Sequence, residues 1–256
     1  MEYRLGFFMD HFILILYYSI TYLGVWIILN KFHSVAGWSF YEILLLFNLN
    51  LFSYSVSSLF FGFGSMRRME TMVQQGTFDS MLIYPLNPFW HIVFKQFGHT
   101  YFAHITLCTV VFFICFEKLH IFWSFSNIIW FSLVLIGGAM IQSGIMIFTG
   151  AVSFWFIQST TAVDSTVQTM KTFIDYPITI YEKWVQGVLT FVIPYAFVTF
   201  YPVGHFLNKS GTSLIHGVTL FDPIFQFGTP IVGILVFWFS YTLWHAGMNR
   251  YQSTGS

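Results

Sequence analysis

The chain has 256 residues, of which 56% are hydrophobic, 22% aromatic and 8% charged, with mean hydropathy +0.70 and zero formal net charge. A globular domain carries about 25% charged residues, so this chain cannot cover a soluble surface and lipid is its expected solvent. No basic run exceeds Arg67–Arg68, which argues against a nucleic-acid partner.

Taken in order, residues 1–11 (MEYRLGFFMDH) mix charge with apolar side chains and read as a short interfacial helix. They lack the small-residue cleavage motif of a secretory signal. Residues 12–30 form the first predicted span, near the ~20 residues that cross ~30 Å of hydrocarbon. The second span, 42–63, carries a polar line of Asn48, Asn50, Ser53, Ser57 and Ser58. The third, 97–116, holds Cys108 and Cys115, seven residues apart in one helix. Their Cα atoms would be ~10 Å apart, too far for a disulfide, so both read as packing residues.

The fourth span, 128–157, would be ~45 Å long if straight and must tilt, protrude or break, with Gly137–Gly138 as the place for bending or close contact. In 158–176, Val163, Val167, Met170 and Ile174 are spaced 4, 3, 4, and Asp164, Gln168, Lys171 and Asp175 follow one residue behind. That is an amphipathic helix, too polar to span, ended by Pro177. The fifth span, 184–206, contains Pro194 and Pro202 and should kink or split. The segment 207–229 suits a re-entrant or interfacial pair of short helices, and 230–248 forms the sixth span.

The polar interruption at 64–96 is far longer than a helix–helix connection requires and reads as a docking surface. Arg67, Arg68, Glu70 and Gln74 can hold polar partners, while Met66, Met69 and Val73 form an apolar face. Gly76 can end that helix, Asp79 can cap the next turn, and Pro85 and Pro88 restrict the exit. With both termini inside, seven basic residues (Arg4, Arg67, Arg68, Lys95, Lys171, Lys183, Arg250) face the cytoplasm against three outside (Lys31, Lys118, Lys209). The long loop and the amphipathic helix are then cytoplasmic.

The stretch QGTFDSMLIYPLNPFW resembles the hallmark of ABC-2 type permeases whose first cytoplasmic loop reads Gly-x-x-Asp-x-x-Leu-x-x-Pro-x-x-Pro, here Gly76, Asp79, Leu82, Pro85 and Pro88. SFWF (153–156), DYPITIY (175–181), IPYAFVTFYPVGHFL (193–207) and the ending LWHAGMNRYQSTGS are similar to that subfamily as well. The resemblance implies an all-α, six-span permease subunit in an inner (plasma) membrane, paired with a second permease, identical or related. It implies two cytoplasmic ATPase subunits that carry ATP and Mg, a coupling helix in the first cytoplasmic loop, a re-entrant outer segment, and export. The coupling residues are then Arg67, Arg68, Glu70, Gln74, Gly76, Asp79, Leu82, Pro85 and Pro88. The aromatic load, with 34 Phe and 9 Trp, suits a hydrophobic or cationic amphiphilic compound as cargo and suits lipid-facing packing equally.

Other chemistries find no support in the residues. The stretch from Gly204 to Lys209–Ser210 lacks the second glycine and the spacing of a phosphate loop, so ATP hydrolysis is expected on another chain, not here. There is no His-Glu-x-x-His or Cys-x-x-Cys, and His99 and His104 lie on different helix faces, so no metal, cofactor or catalytic residue is expected. A stand-alone ion-coupled carrier is the alternative, but only Glu42 offers a carboxylate on a span, at its outer edge. A lipid-modifying membrane enzyme comes third, without a Gly-x-Ser-x-Gly elbow. Asn50, Ser53 and Ser57 either line a translocation pathway or bond to neighbouring helices.

Overall fold

The computed structural model describes residues 2–32, 34–62, 66–95, 97–98, 100–156, 160–209, 213–215, 218–219 and 223–251. Two helices lead. α1 (Glu2–Phe32) is continuous through the segment expected to lie at the interface, and Tyr18 and Tyr22, partly buried, precede the buried Val25 and Leu29 on the face turned to the bundle. α2 (Phe40–Phe61) opens on a capping box in which the Glu42 carboxylate accepts from the Ser39 N–H at 2.7 Å. Three short helices follow, α3 (Met69–Gln74), α4 (Thr77–Leu82) and α5 (Pro88–Lys95). Then come the long α6 (Tyr101–Lys118) and α7 (Phe125–Val152) and the amphipathic α8 (Thr160–Phe173).

The predicted fifth span is broken. α9 (Lys183–Gly187) runs into a π turn, and after Pro194 a 3₁₀ turn leads to α10 (Phe200–Phe206), with an 80° bend between the halves. Proline at 194 cannot donate to the preceding turn, which is where the helix fails. The segment expected to hold two short helices instead contains two very short antiparallel strands, β1 (Ser213–Ile215) and β2 (Val218–Thr219), before the four-residue α11 (Pro223–Gln226). α12 (Thr229–Met248) ends the fold.

Among the described residues, α2, α6, α7 and α12 are long and apolar enough to cross a membrane, and the bent pair makes a fifth candidate. The stretch of α1 that is apolar enough is the shorter Ile15–Ile27. α7 does not break at Gly137–Gly138. A Cβ on Gly137 would meet Pro230 Cα and the Thr229 carbonyl at 2.9 Å, one on Gly138 would meet Ser53 Oγ at 2.6 Å, and one on Gly233 would meet the Gly137 carbonyl at 2.6 Å. Glycine here is the condition for backbone contact.

The same seam continues through Gly144 against Val236, and Gly247 against Phe154 and Trp155. Buried small residues recur every seven positions, Gly137, Gly144 and Ala151 on α7 and Gly233, Ser240 and Gly247 on α12. A seven-residue period is what keeps one seam facing its partner along a left-handed pair. Contacts rise in step along both helices, so α7 and α12 run in the same direction. The chain between them must therefore travel back across the layer, and the bent pair lies in that stretch.

α2 and α6 run antiparallel, with the Gly98 N–H donating to the Leu59 carbonyl at 2.9 Å, Tyr54 against Tyr101, and Asn48 Nδ2 donating to the Cys108 carbonyl at 2.9 Å. Cys108 and Cys115 are buried and unlinked in this packing. The bundle thus has two ends. Phe61, Met66, Ala151 and Trp244 mark one, which carries the 66–95 segment, while Trp38 and Lys209 mark the other.

Candidate functional site

The 66–95 segment has a core of its own. Met66, Met69 and Phe78 are wholly buried, Val73 nearly so, together with Phe89, Ile92 and Val93 and with Ala151 and Trp244 from the ends of α7 and α12. Phe89 sits edge-on to Trp244 (5.6 Å) and Tyr241 (5.0 Å), and Phe78 edge-on to Phe154 (5.4 Å) and Tyr251 (5.0 Å). Gly150 brings α7 against this core, because a Cβ there would meet the Met66 carbonyl at 3.0 Å. The segment is thereby fixed to the two helices of the small-residue seam.

Gly76 separates α3 from α4 at φ +65°, a conformation that costs other residues about 1–2 kcal/mol. Behind it the Gln75 and Gly76 N–H groups donate to the Thr71 and Val73 carbonyls, closing α3. Asp79 does not take the cap position expected of it. Gly76 occupies that place, and Asp79 is the third residue of α4. Burial and the adjacent Asp79 carboxylate push the Tyr251 hydroxyl up to about 12.

Asn87 accepts from the Phe89 N–H at 3.0 Å and Pro88 opens α5, where its missing N–H costs nothing. Arg68 and Gln74 are exposed, with Gln74 Nε2 donating to Glu70 Oε1 at 3.1 Å; the Arg67 side chain lies outside the described residues. Between α4 and α5 the chain presents Leu82, Ile83, Tyr84, Pro85 and Leu86 to the surface, Ile83 at 83% exposure, with Trp90 and Phe94 of α5 nearby. Of these only Leu82 and Pro85 stand among the sequence candidates. The signal for the rest was available in the string Leu-Ile-Tyr-Pro-Leu, too apolar for a solvated turn.

The polar line of α2 points inward. Ser53 and Ser57 are buried, and Ser57 Oγ bridges the Ser53 carbonyl (2.8 Å) and the Ala139 carbonyl of α7 (2.7 Å). Asn50 is the centre of a network. Its Oδ1 accepts from Gln142 Nε2 at 2.9 Å, and its Nδ2 donates to Asp175 Oδ1 at 2.6 Å and to the Lys171 carbonyl at 3.3 Å. One turn further along α2, the Tyr54 ring carries the Lys171 ammonium 3.4 Å from its centroid. Within the chain these residues are helix-to-helix partners.

This network places α8. Asn50 meets Asp175 and Tyr54 meets Lys171, so α8 runs antiparallel to α2, away from the end that holds residues 66–95. Asn50 is ~16 Å from the end of α2, and Gln142 ~15 Å from the end of α7. Asp175 thus comes level with the middle of α2 on the turn that follows a helix expected at the surface. Amphipathicity identified its inward face, Val167 and Ile174, but could not identify what that face covers.

At the opposite end Lys209 Nζ bonds Glu42 Oε2 at 2.9 Å and the Gly37 carbonyl at 3.1 Å, and lies 4.3 Å from the Trp38 ring centroid. Glu42 is thus a cap and an ion-pair partner at the helix start.

No curated protein and no solved structure gave a significant match. The family model described as ABC-2 family transporter protein matches residues 15–255. The chain belongs to the ABC-2 transporter family and is a multi-pass membrane permease component.

Proposed function

We propose that the chain is the six-span membrane half of an ABC exporter and that residues 66–95 are its dock for a separate ATPase. The observation that carries this is the exposed apolar tip, Leu82, Ile83, Tyr84 and Leu86, held on a core shared with the ends of α7 and α12. A surface that holds out Ile83 has a partner to cover it. The aromatic contacts of Phe78 and Phe89 then convey the partner's movement to the bundle. In this reading α1 and the bent pair supply the remaining crossings. The termini and the dock are cytoplasmic, two ATPases bind ATP and Mg, and a second permease completes the pathway. Membership of the ABC-2 family displaces the stand-alone carrier.

The test is copurification of the full chain with its co-expressed ABC ATPase. Ile83→Glu together with Leu86→Glu touches only exposed side chains, so the permease should remain monodisperse in detergent and lose the ATPase. A well-folded double variant that retains the ATPase as wild type does would overturn the assignment of the dock.

A further inference from the structure

A carboxylate, an aromatic face and a primary ammonium meet at mid-depth in this bundle, where ionisable groups are costly and are kept for function. Lys31, Glu42, Glu117, Lys118 and Lys183, by contrast, sit near helix ends. Lys171 lies in the last turn of α8 and Asp175 two residues past its end; burial pushes the Asp175 carboxyl up, while the Asn50 amide and the Lys171 charge act the other way. Asn50 and Tyr54 are one turn apart on α2 and face them. The seat under the Lys171 ammonium therefore consists of the Tyr54 ring, the Asp175 carboxylate and the amide network of Asn50 and Gln142. That set recognises an organic cation: a negative charge at one side, a π face below, and fixed dipoles that hold the carboxylate in place.

The present occupant is on a flexible four-carbon stem, is partly exposed, and belongs to a helix that is not itself a span. The side of α8 turned away from the bundle carries no charge. Ser165, Thr166, Thr169 and Thr172 are exposed there, and the three threonine hydroxyls return their protons to backbone carbonyls of their own helix. Exposed positions on α6, α7 and α12 are mostly Phe, Ile, Leu, Val and Trp, as lipid contact requires, with Thr106, Thr109, Ser132 and Thr242 scattered among them and bonded back to their own helices. A polar, uncharged approach to the seat is thus available along α8.

We propose that this seat is a substrate subsite for the amine or quaternary ammonium group of an amphiphilic cation, and that Lys171 is a tethered stand-in which the substrate displaces. The inference rests on the transport reading, since it names the class of compound carried. It reverses the usual expectation for a charged residue at a binding site: removal of Lys171 should increase affinity, because the competitor is then gone and the receptor remains.

Ethidium binding to the full chain in phosphatidylcholine nanodiscs, followed by fluorescence anisotropy, tests this. Lys171→Ala should bind ethidium about tenfold or more tightly than wild type. Adding Asp175→Asn or Tyr54→Leu should remove that gain, and Lys171→Arg should behave as wild type. Lys171→Met keeps the stem's packing without its charge and serves the same comparison if the alanine variant aggregates. Equal ethidium affinity in wild type and the Lys171 variants, or a gain that survives Asp175→Asn, would overturn the proposal. No ATPase is present in this experiment, so its failure would leave the dock and its copurification test untouched.

Discussion

Two contacts made by the central helices differ in kind. α7 meets α12 through glycine and small side chains, backbone against backbone, over most of α12's length. α2 meets the end of α8 and the turn after it through polar and charged side-chain groups, Asn50 with Asp175 and Tyr54 with Lys171. The first has no slack, because separation would open a void along a whole seam. The second consists of a few directional bonds that can be exchanged for bonds to water or to another polar group. A close-packed pair fixed to the 66–95 segment thus lies beside a helix held by a few exchangeable bonds.

The comparison breaks first at Gly233. Leucine there sets Cβ 2.6 Å from the Gly137 carbonyl, so the helices must part. The loss should exceed the ~1–3 kcal/mol of ordinary overpacking and leave little monodisperse protein on size exclusion. Gly24→Ala, at a site with nothing within 4 Å, is the control and should purify as wild type. A second substitution sharpens the contrast. Gln142→Ala leaves Asn50 Oδ1 buried without its donor, and should cost about 1–3 kcal/mol, read as a lower thermal midpoint in detergent. If Gln142→Ala proved as damaging as Gly233→Leu, the polar contact would not be the releasable one. The smallest effect belongs to Lys209→Ala at the far end. Its partly exposed pair with Glu42 should contribute about 0–1 kcal/mol, and the difference from wild type should shrink in high salt.

Much of the frame is legible in the residues. Apolar runs place α2, α6, α7 and α12 to within a few positions, the 4, 3, 4 spacing gives α8, and Pro194 announces the break before α10. Met66, Met69 and Val73 show their buried face at helical spacing, and Gly76 marks the left-handed turn. The rest depends on partners, which local pattern does not contain. Gly137 announces close contact but not that Pro230 and Gly233 supply it. Asp175 reads as the polar edge of a surface helix, because nothing near it in sequence tells that Asn50, 125 residues earlier, will draw it inward. Ser53 and Ser57 leave pathway and helix-to-helix bonding both open in the sequence, and the Ala139 carbonyl beside Ser57 is the partner that the string does not contain. β1 and β2 are too short to show a period of two, and the intermediate hydropathy of 207–229 suited short helices there.

The unequal lengths of the apolar helices have a consequence for the surrounding lipid. α7 has 28 residues and spans ~42 Å, whereas α6 has 18 and α12 has 20, ~27 and ~30 Å. Parallel alignment with α12 leaves the first turns of α7 projecting at the face that carries Trp38 and Lys209, with Phe122 and Phe125 about 80% exposed. A bilayer of uniform thickness cannot match all three helices. It must thicken beside α7 or let that end tilt, at a fraction of a kcal/mol per ångström of mismatch. Bilayer thickness thereby becomes a variable of the permease, acting on the same helix whose other end holds the 66–95 segment. Acyl-chain length is a means of loading that helix without touching the protein.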